Sequence, residues 1–279
     1  MSTEARNPRS VGLDQMNARE IARLMNEEDH AILAALKAAE EAIAIAAERM
    51  AHAYRSGGRI IYVGAGTSGR IATADAAEMP PTFSVDPGRF VAVVAGGNMA
   101  QNAAFERAED DEHAAVEALN ELGLTPDDIV FGISASGKTP FTVSAMRHAH
   151  QKGAWTCGIA NMRHSPLLKA CDHGIYLQTG PEVLTGSTRL KAGTSQKMAL
   201  NAISTAAMVL CGKVVENLMV DVKATNSKLR ERCVKIVRDL TTLTSEEAEQ
   251  ALERCGYNIR RVLAEHKAHP DAVSLPFSE

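Results

Sequence analysis

RIIYVGAGTSGR, residues 59–70, joins an apolar, β-rich run to the start of a predicted helix. Its glycines at Gly64, Gly66 and Gly69 match the G-x-G-x-x-G pattern of loops that cradle a dinucleotide pyrophosphate. That function also needs an acidic residue about 20 positions further on, at the end of the second strand, for the ribose hydroxyls. The second predicted strand ends in two glycines, and Arg89 is the residue nearest to the expected distance. The stretch therefore predicts a strand–loop–helix unit and disfavours a dinucleotide site.

Further apolar, β-rich runs follow, and three of the gaps between them have amphipathic helical patterns. The runs are FVAVVAGG (90–97), DIVFGISAS (128–136), WTCGIAN (155–161) and GIYLQTG (174–180). Strands that alternate with helices predict a parallel sheet covered on both faces. We therefore expect an α/β fold with a doubly wound parallel five-stranded sheet of flavodoxin-like order 2-1-3-4-5.

Helical patterns flank this predicted sheet on both sides. Residues 1–56 are rich in alanine, with apolar residues at three- and four-residue spacing, which predicts an N-terminal helical arm. Residues 57–222 are expected to form the α/β domain, which closes with a long buried helix over residues 190–220. Residues 223–279 contain short helical patterns and no strand pattern, which predicts a small C-terminal helical, UBA-like domain.

The composition is that of a globular protein. Of the 279 residues, 45% are hydrophobic and 23% charged, and the formal net charge is −4, which disfavours a nucleic-acid or membrane surface. The first ten residues, MSTEARNPRS, lack an apolar segment, and no apolar run reaches the length of a membrane span. The five cysteines form no C-x-x-C pair, which favours free buried thiols over disulfides or a zinc site. We expect a cytoplasmic protein.

Two hydroxyl-rich loops are candidates for binding a phosphate. Thr67 and Ser68 place two hydroxyls beside glycine amides at a predicted helix N-terminus, a combination that suits one phosphate. The third predicted strand ends in a related loop, SASGKT (134–139), and the first and third strands are neighbours at the switch point of the predicted sheet. Serine and threonine also cap helices routinely, and capping is the favoured interpretation of either loop alone. Two such loops at one switch point favour a phosphate site.

The loops GAGTSGR and SASGKTP resemble the phosphate loops of the sugar isomerase (SIS) domain family. GPEVLTGSTRLKAGTSQ (180–196) is more specific, because it resembles the signature shared by N-acetylmuramic acid 6-phosphate etherases and glucokinase regulatory protein. DAAEMPPTF and ENLMVDVKATNSKL also resemble the etherases, and the similarity covers nearly the whole chain. The length is that of an etherase, since the regulator carries two SIS domains.

The resemblance implies a lyase that removes D-lactate from N-acetylmuramic acid 6-phosphate and leaves N-acetylglucosamine 6-phosphate, in the recycling of cell-wall sugar. In the family, a carboxylate takes the C2 proton of the open-chain sugar, an acid protonates the departing lactyl oxygen, and water adds to the double bond. The resemblance implies that the reaction needs no cofactor, neither a metal ion nor a nucleotide. The implied partners are a phosphorylated amino sugar and a second copy of the chain, in a homodimer.

By motif, the acid falls on Glu78 of DAAEMPPT and the second carboxylate on Glu109 of RAEDD. Arg189 and Lys191 are candidates for a phosphate or carboxylate clamp, although salt-bridging surface cations are the alternative. The residues expected to bind substrate or phosphate are Gly66, Thr67, Ser68, Gly69, Ser134, Ser136, Gly137, Lys138, Thr139 and Arg189.

Residue-level physics supports the two glutamates unequally. The helix that follows the first loop should end before Pro80 and Pro81, which would place Glu78 at its C-terminus. The negative end of the helix dipole there favours a protonated carboxyl group, as a proton donor requires, although a solvated glutamate is the alternative. Helical spacing places Glu109 and Glu112 near the inward face, but a solvated charged helix is the default interpretation. Only the resemblance selects Glu109.

Other functions stay open. Departures from the usual family pattern, IATADAAEM around Glu78 and Ser134 in place of an alanine, leave the fine substrate preference undetermined. One alternative is a non-catalytic sugar-phosphate sensor that binds a protein partner, against which the retention of Glu78 and Glu109 speaks. Another is a sugar-phosphate isomerase on the same fold. A dinucleotide-dependent oxidoreductase comes last.

Overall fold

The computed structural model describes residues 3–97 and 106–266. A parallel sheet of five strands lies at its centre, in the order β2-β1-β3-β4-β5. Each strand overlaps one of the predicted runs, so the predicted fold class and strand order are confirmed. The strands are β1 Ile60–Gly64, β2 Phe90–Val94, β3 Ile129–Ser134, β4 Trp155–Ala160 and β5 His173–Tyr176.

Helices precede, separate and follow these strands. Short 3-10 turns occur at Pro8–Ser10, Leu13–Gln15 and Glu106–Asp110. The α-helices of the described residues are α1 Ala18–Ala38, α2 Glu40–Arg55, α3 Gly66–Phe83, α4 Glu112–Glu121, α5 Pro140–Gln151, α6 Pro166–Ala170, α7 Lys191–Leu210, α8 Ser227–Leu240, α9 Ser245–Arg254 and α10 Ile259–Glu265. None of these helices is long and apolar enough to cross a membrane.

The central strands are covered on both faces. Ile60 and Ile61 of β1 point to opposite faces of the sheet, because side chains alternate along a strand, and both are fully buried. Ile61 lies in one apolar cluster with Leu119 of α4 and Met146 of α5. In the parallel register, Gly64 at the end of β1 lies opposite Ile133 near the end of β3. The loops that follow these two strands therefore leave the sheet at the same edge.

Helix α3 continues through Pro80 and Pro81, so the prediction that it ends before them is wrong. A proline removes one backbone N–H from a helix, yet the last turn closes with a 3.1 Å hydrogen bond from the Ser84 N–H to the Pro80 carbonyl. Met79 and Phe83 are both buried, and this burial offsets the lost backbone hydrogen bonds.

A buried carboxylate fixes the middle of α3. The Tyr62 hydroxyl donates to Asp75 Oδ2 at 2.9 Å, and the Ser204 hydroxyl donates to Asp75 Oδ1 at 3.2 Å. Burial, together with the adjacent Asp75, raises the pKa of Tyr62 well above its ordinary value, so the phenol keeps its proton as a donor. Asp75 thereby joins α3 to β1 and to α7.

Helix α7 ends at Leu210, so the prediction of a helix over residues 190–220 is too long. Gly212 has a φ of +71°, in the left-handed region that glycine adopts without strain. Its N–H donates to the Val209 carbonyl at 2.9 Å, and the Lys213 N–H donates to the Met208 carbonyl at 3.0 Å. This glycine-based stop satisfies carbonyls that would otherwise be unpaired at the helix end.

The chain forms two compact units. One comprises Met1–Ala76 with Gly88–Ala207, and the other comprises Ala77–Pro87 with Met208–Glu279. The second unit has its own apolar core, which includes Cys233, Leu252 and Val262 from α8, α9 and α10. None of the five cysteines, all of which lie in the described residues, forms a disulfide; three are buried and two are partly exposed.

Candidate active site

The glycines of the first loop are explained by close contacts. Gly66 opens α3 with a φ of +51°, and a methyl group on it would come within 2.9 Å of Glu109 Oε1. A methyl group on Gly69 would come within 2.6 Å of Val94 Cγ1 and 3.1 Å of the Gly64 carbonyl oxygen. Gly69 therefore allows α3 to pack against the strands, and Gly66 leaves room for a carboxylate. The G-x-G-x-x-G pattern has a steric reason here without any dinucleotide.

Glu109 reaches the first loop from the 3-10 turn Glu106–Asp110, and its side chain is half-buried. The expected continuous helix is absent at this point of the described chain, because Asp111 caps α4 by accepting from the Ala114 N–H at 2.9 Å. Glu112, expected to face inward with Glu109, is exposed. The structure thus separates the two glutamates and brings Glu109 alone to Gly66.

The second loop, residues 134–139, is tied together by its own hydroxyls. The Gly137 N–H donates to Ser134 Oγ at 3.0 Å, and Ser134 Oγ shares a 2.9 Å hydrogen bond with Thr139 Oγ1. The Lys138 N–H donates to Ser136 Oγ at 3.2 Å. Thr139 is the residue before α5, but its side chain makes no capping hydrogen bond to that helix. The capping interpretation therefore fails for Thr139.

A buried chain of side chains connects the first loop to α7 and β4. The Ser68 hydroxyl donates to Gln196 Oε1 at 2.8 Å, and Gln196 Nε2 donates to Asn161 Oδ1 at 3.0 Å. Asn161 Nδ2 donates in turn to the Leu177 carbonyl at 3.0 Å and to Ser195 Oγ at 2.9 Å. Sequence reasoning missed Gln196 and Asn161. Their signals were present, since Gln196 ends the 180–196 signature and Asn161 is the polar residue directly after β4.

The 180–196 signature segment also carries a buried cap for α7. Glu182 is fully buried, and its carboxylate accepts from the backbone N–H groups of Lys191 at 3.0 Å and Ala192 at 2.9 Å. Burial raises the pKa of Glu182, although these two N–H groups and the Lys191 charge act in the opposite direction. The cap orients the turn of α7 that holds Ser195 and Gln196.

Lys191 is paired inside the protein, which argues against the predicted role as a phosphate or carboxylate clamp. Its ammonium group is buried and lies 2.5 Å from Glu28 Oε2 of α1. Asn7 Nδ2 donates to the same carboxylate at 2.6 Å, and Arg9 Nη1 donates to Glu28 Oε1 at 2.9 Å. Burial would raise the pKa of Glu28, but the hydrogen bonds from Lys191 and Asn7 outweigh it and lower that pKa. A buried ammonium group needs a partner of opposite charge, and the Glu28 carboxylate is that partner.

Sequence comparisons match most of the chain to three family models and to named relatives. The N-terminal SIS domain of glucokinase regulatory protein matches residues 41–150, the SIS domain matches 111–206, and the C-terminal lid domain of glucokinase regulatory protein matches 216–273. The N-acetylmuramic acid 6-phosphate etherase of Geobacillus thermodenitrificans is 49% identical over 263 residues, 94% of this chain and 89% of that protein. The etherase of Halalkalibacterium halodurans is 48% identical, over 92% of this chain and 86% of that protein.

The chain belongs to the N-acetylmuramic acid 6-phosphate etherase family. The resemblance stated from the motifs is confirmed. Among solved structures, a phosphoheptose isomerase from Francisella tularensis is 18% identical with a TM-score of 0.54, covering 70% of this chain and 100% of that one. This similarity shows that the etherase family member has the SIS fold.

Of the remaining predicted site residues of this etherase family member, Thr67 is half-buried and the other three are exposed. Glu78 lies on α3, five residues before the helix ends at Phe83, and its side chain is exposed. The prediction that Glu78 lies at the end of this helix is therefore wrong. Arg189 and Lys138 are exposed as well. The catalytic role of Glu78 and the binding roles of Arg189 and Lys138 stay predictions.

Proposed function

We propose that this chain is a carbon–oxygen lyase that converts N-acetylmuramic acid 6-phosphate into N-acetylglucosamine 6-phosphate and D-lactate, in cell-wall sugar recycling. The proposal is supported by membership of the etherase family over nearly the whole chain. The observation that carries it is the position of Glu109, whose carboxylate lies against Gly66 of the first hydroxyl-rich loop. A carboxylate beside a sugar-phosphate loop is the arrangement that proton abstraction from a bound sugar requires.

In the proposed reaction, Glu109 takes the C2 proton of the open-chain sugar, which the C1 aldehyde makes acidic. The electron pair left at C2 forms a double bond to C3, and the bond from C3 to the lactyl oxygen breaks. Glu78 gives its proton to that departing oxygen. Water then adds at C3 while C2 regains a proton, which completes the exchange of the lactyl ether for a hydroxyl group. Each carboxyl group contributes as a general acid or base.

The two loops hold the phosphorylated sugar in this proposal. Residues 66–69 and residues 134–139 follow neighbouring strands, so they leave the sheet at one edge, where open α/β sheets bind ligands. The N-termini of α3 and α5 present backbone N–H groups and a positive dipole end to an anion. Arg189 is included as a further cation for the phosphate or the lactyl carboxylate.

A cytoplasmic location and a homodimer are also part of the proposal, on the support of sequence composition and family resemblance. Light scattering after size-exclusion chromatography measures the second of these directly. A mass of one chain across the concentration range of the activity assay would contradict the homodimer.

The central experiment incubates the purified protein with N-acetylmuramic acid 6-phosphate and measures D-lactate enzymatically. We expect D-lactate and N-acetylglucosamine 6-phosphate in equal amounts. The control pair is Glu109→Gln, which should be inactive, and Asp110→Asn on the same turn, which is exposed and should retain activity. Binding without D-lactate release would instead support a sensor. Isomerisation of a phosphosugar without D-lactate release would support an isomerase.

A further inference from the structure

The buried chain from Ser68 to Asn161 has a fixed hydrogen-bond direction. A backbone carbonyl can only accept hydrogen bonds, so the side-chain atom of Asn161 that lies 3.0 Å from the Leu177 carbonyl oxygen must be the amide nitrogen. This contact fixes the orientation of the Asn161 amide, whatever the orientation of the neighbouring side chains.

A second contact requires the same orientation. The Ser195 hydroxyl donates its single proton to the Ala192 carbonyl at 2.7 Å, so its oxygen can only accept from Asn161. The atom of Asn161 that lies 2.9 Å from Ser195 Oγ must therefore be a donor as well. Two main-chain carbonyls, those of Leu177 and Ala192, thus determine which way Asn161 points.

The direction passes from Asn161 to the first loop. Since the Asn161 amide nitrogen faces Leu177 and Ser195, its oxygen faces Gln196 and must receive a hydrogen bond from Gln196 Nε2. The oxygen of Gln196 then faces Ser68, and the Ser68 hydroxyl must give its single proton to it. Asn161, Ser195 and Gln196 are almost entirely buried, so water does not replace these partners.

We propose that the Ser68 hydroxyl binds the sugar and not the phosphate, by accepting a hydrogen bond from a sugar hydroxyl group. Gln196 is the positioning residue that holds Ser68 in this role, and the inference rests on the proposed function. To donate to a phosphate oxygen, Ser68 would have to leave Gln196 Oε1 buried without a donor, a loss comparable to the gain from the new hydrogen bond to the charged phosphate. Because the Ser68 proton is held by Gln196, the Ser68 oxygen can interact with a ligand by accepting a hydrogen bond.

Ser136 in the second loop has the opposite arrangement. Its oxygen accepts from the Lys138 N–H, a contact that does not use the Ser136 proton. That proton can therefore be donated to a phosphate oxygen, which can only accept when fully ionised. The two loops then have separate tasks, with the phosphate on Ser136 and a sugar hydroxyl on Ser68. The sequence similarity of the two loops predicts instead that both bind the phosphate.

The first test reads the hydrogen positions directly. Neutron diffraction from deuterium-exchanged crystals of the ligand-free protein should show the deuteron between Ser68 and Gln196 on Ser68 Oγ. It should also show both deuterons of the Gln196 amide on the atom that faces Asn161. A deuteron carried by Gln196 and directed at Ser68 would overturn the inference, whatever reaction the protein catalyses.

The second test compares two ligands by calorimetry, inorganic phosphate and N-acetylglucosamine 6-phosphate. Ser68→Ala should weaken the sugar phosphate roughly 2- to 12-fold, as expected for one neutral hydrogen bond, and leave inorganic phosphate unchanged. Gln196→Met should weaken the sugar phosphate in the same selective way, whereas Ser136→Ala should weaken both ligands. Gln250→Met, at an exposed position of α9, is the control for replacing a glutamine by methionine and should leave both affinities unchanged.

The outcomes separate the inference from the proposed function. An equal loss of affinity for both ligands in Ser68→Ala would overturn the inference even if the wild-type protein releases D-lactate. A wild-type protein that neither binds the sugar phosphate nor releases D-lactate would refute the proposed function, and the neutron map would still decide the direction of the hydrogen bonds. Thermal unfolding of each variant identifies any loss of affinity that comes from a failure to fold.

Discussion

Glu109 and Gly66 link a predicted catalytic side chain to a predicted binding loop. The carboxylate lies in the space that a side chain at position 66 would occupy. Gly66 is also one of the positions where the backbone is left-handed, so a side chain there would be strained and would also displace the Glu109 carboxylate. A substitution at this position tests whether the location of Glu109 matters for catalysis.

Gly66→Ala should displace Glu109 and lower D-lactate release by at least about 10²-fold, since general acid–base help contributes about 10²–10⁴-fold. The added methyl group would come within 2.9 Å of Glu109 Oε1. The matched control is Gly123→Ala, where φ is +59° and no atom lies within 4 Å of the added methyl group. Both variants should lose stability by about 1–2 kcal/mol from the left-handed backbone, but only Gly66→Ala should lose activity. Equal activities in the two variants would contradict the role given to Glu109.

Glu109→Gln and Glu78→Gln should fail at different steps of the reaction. If Glu109 takes the C2 proton, Glu109→Gln should stop exchange of that hydrogen with deuterated solvent, measured by NMR. If Glu78 only protonates the departing oxygen, Glu78→Gln should stop D-lactate release and leave the C2 exchange measurable. Each defect should reach about 10²–10⁴-fold. Exchange that survives in Glu109→Gln but is lost in Glu78→Gln would mean that the roles are reversed.

At the scale of elements, an ion pair joins the starts of β1 and β3. Asp128 is buried and accepts from the Arg59 N–H at 2.8 Å, from Arg59 Nη2 at 2.7 Å and from the Thr125 N–H at 2.9 Å. Burial alone would raise the pKa of Asp128, but the hydrogen bonds from Arg59 and Thr125 outweigh it and lower that pKa. The pair holds the two strands in register at the edge of the sheet opposite the proposed site.

Asp128→Asn should lower the free energy of unfolding at neutral pH by about 3 kcal/mol, because it leaves Arg59 without its charged partner. A carboxyl group with a lowered folded-state pKa stabilises the protein above its unfolded pKa near 3.8, and this contribution is lost as pH falls through the folded-state pKa. The difference between wild type and variant in urea unfolding should therefore shrink below about pH 4. Asp127→Asn, at the exposed neighbouring position, should show neither effect. A difference that stays constant from pH 7 to acid would refute the ion-pair account.

At the scale of the whole chain, residues far apart in sequence meet at Glu28. Lys191 follows Glu28 by 163 positions in the sequence, and Asn7 precedes it by 21 positions. Asn7 Nδ2 also donates to the Pro181 carbonyl at 3.4 Å. The N-terminal segment, α1 and the start of α7 are therefore held together by one buried carboxylate.

Lys191→Met should destabilise the protein by about 3 kcal/mol, since it removes the buried cation of the pair and leaves Glu28 with the half-exposed Arg9 as its charged partner. The double variant Glu28→Gln with Lys191→Met should recover part of this loss, because it removes the buried charge as well. Lys197→Met, further along α7, is the control: Lys197 donates to the nearby Asn201, and its loss should change stability by less than about 1 kcal/mol. The measurement is urea unfolding followed by circular dichroism. A Lys191→Met variant as stable as the control would refute the structural role of the ion pair.

The strands, their parallel order and the two loops could be predicted from the sequence because they depend on short-range patterns. Apolar β-rich runs, glycine spacing and helix signals each lie within about ten residues, and the doubly wound order follows from their alternation. The family could be predicted for a similar reason, since the 180–196 signature is continuous. The local rules failed where packing outweighs them, as in α3, which continues through Pro80 and Pro81 over the buried Met79 and Phe83.

Only the tertiary structure could show how distant polar groups pair. Gln196 faces Ser68 across 128 positions, and Lys191 turns to Glu28 across 163. Neither pairing has a sequence period, because it depends on where helices α1, α3 and α7 pack. The direction of the hydrogen bonds at Ser68 is determined even further away, by the carbonyl groups of Leu177 and Ala192. A buried polar group must find a partner, and the fold determines which partner is within reach.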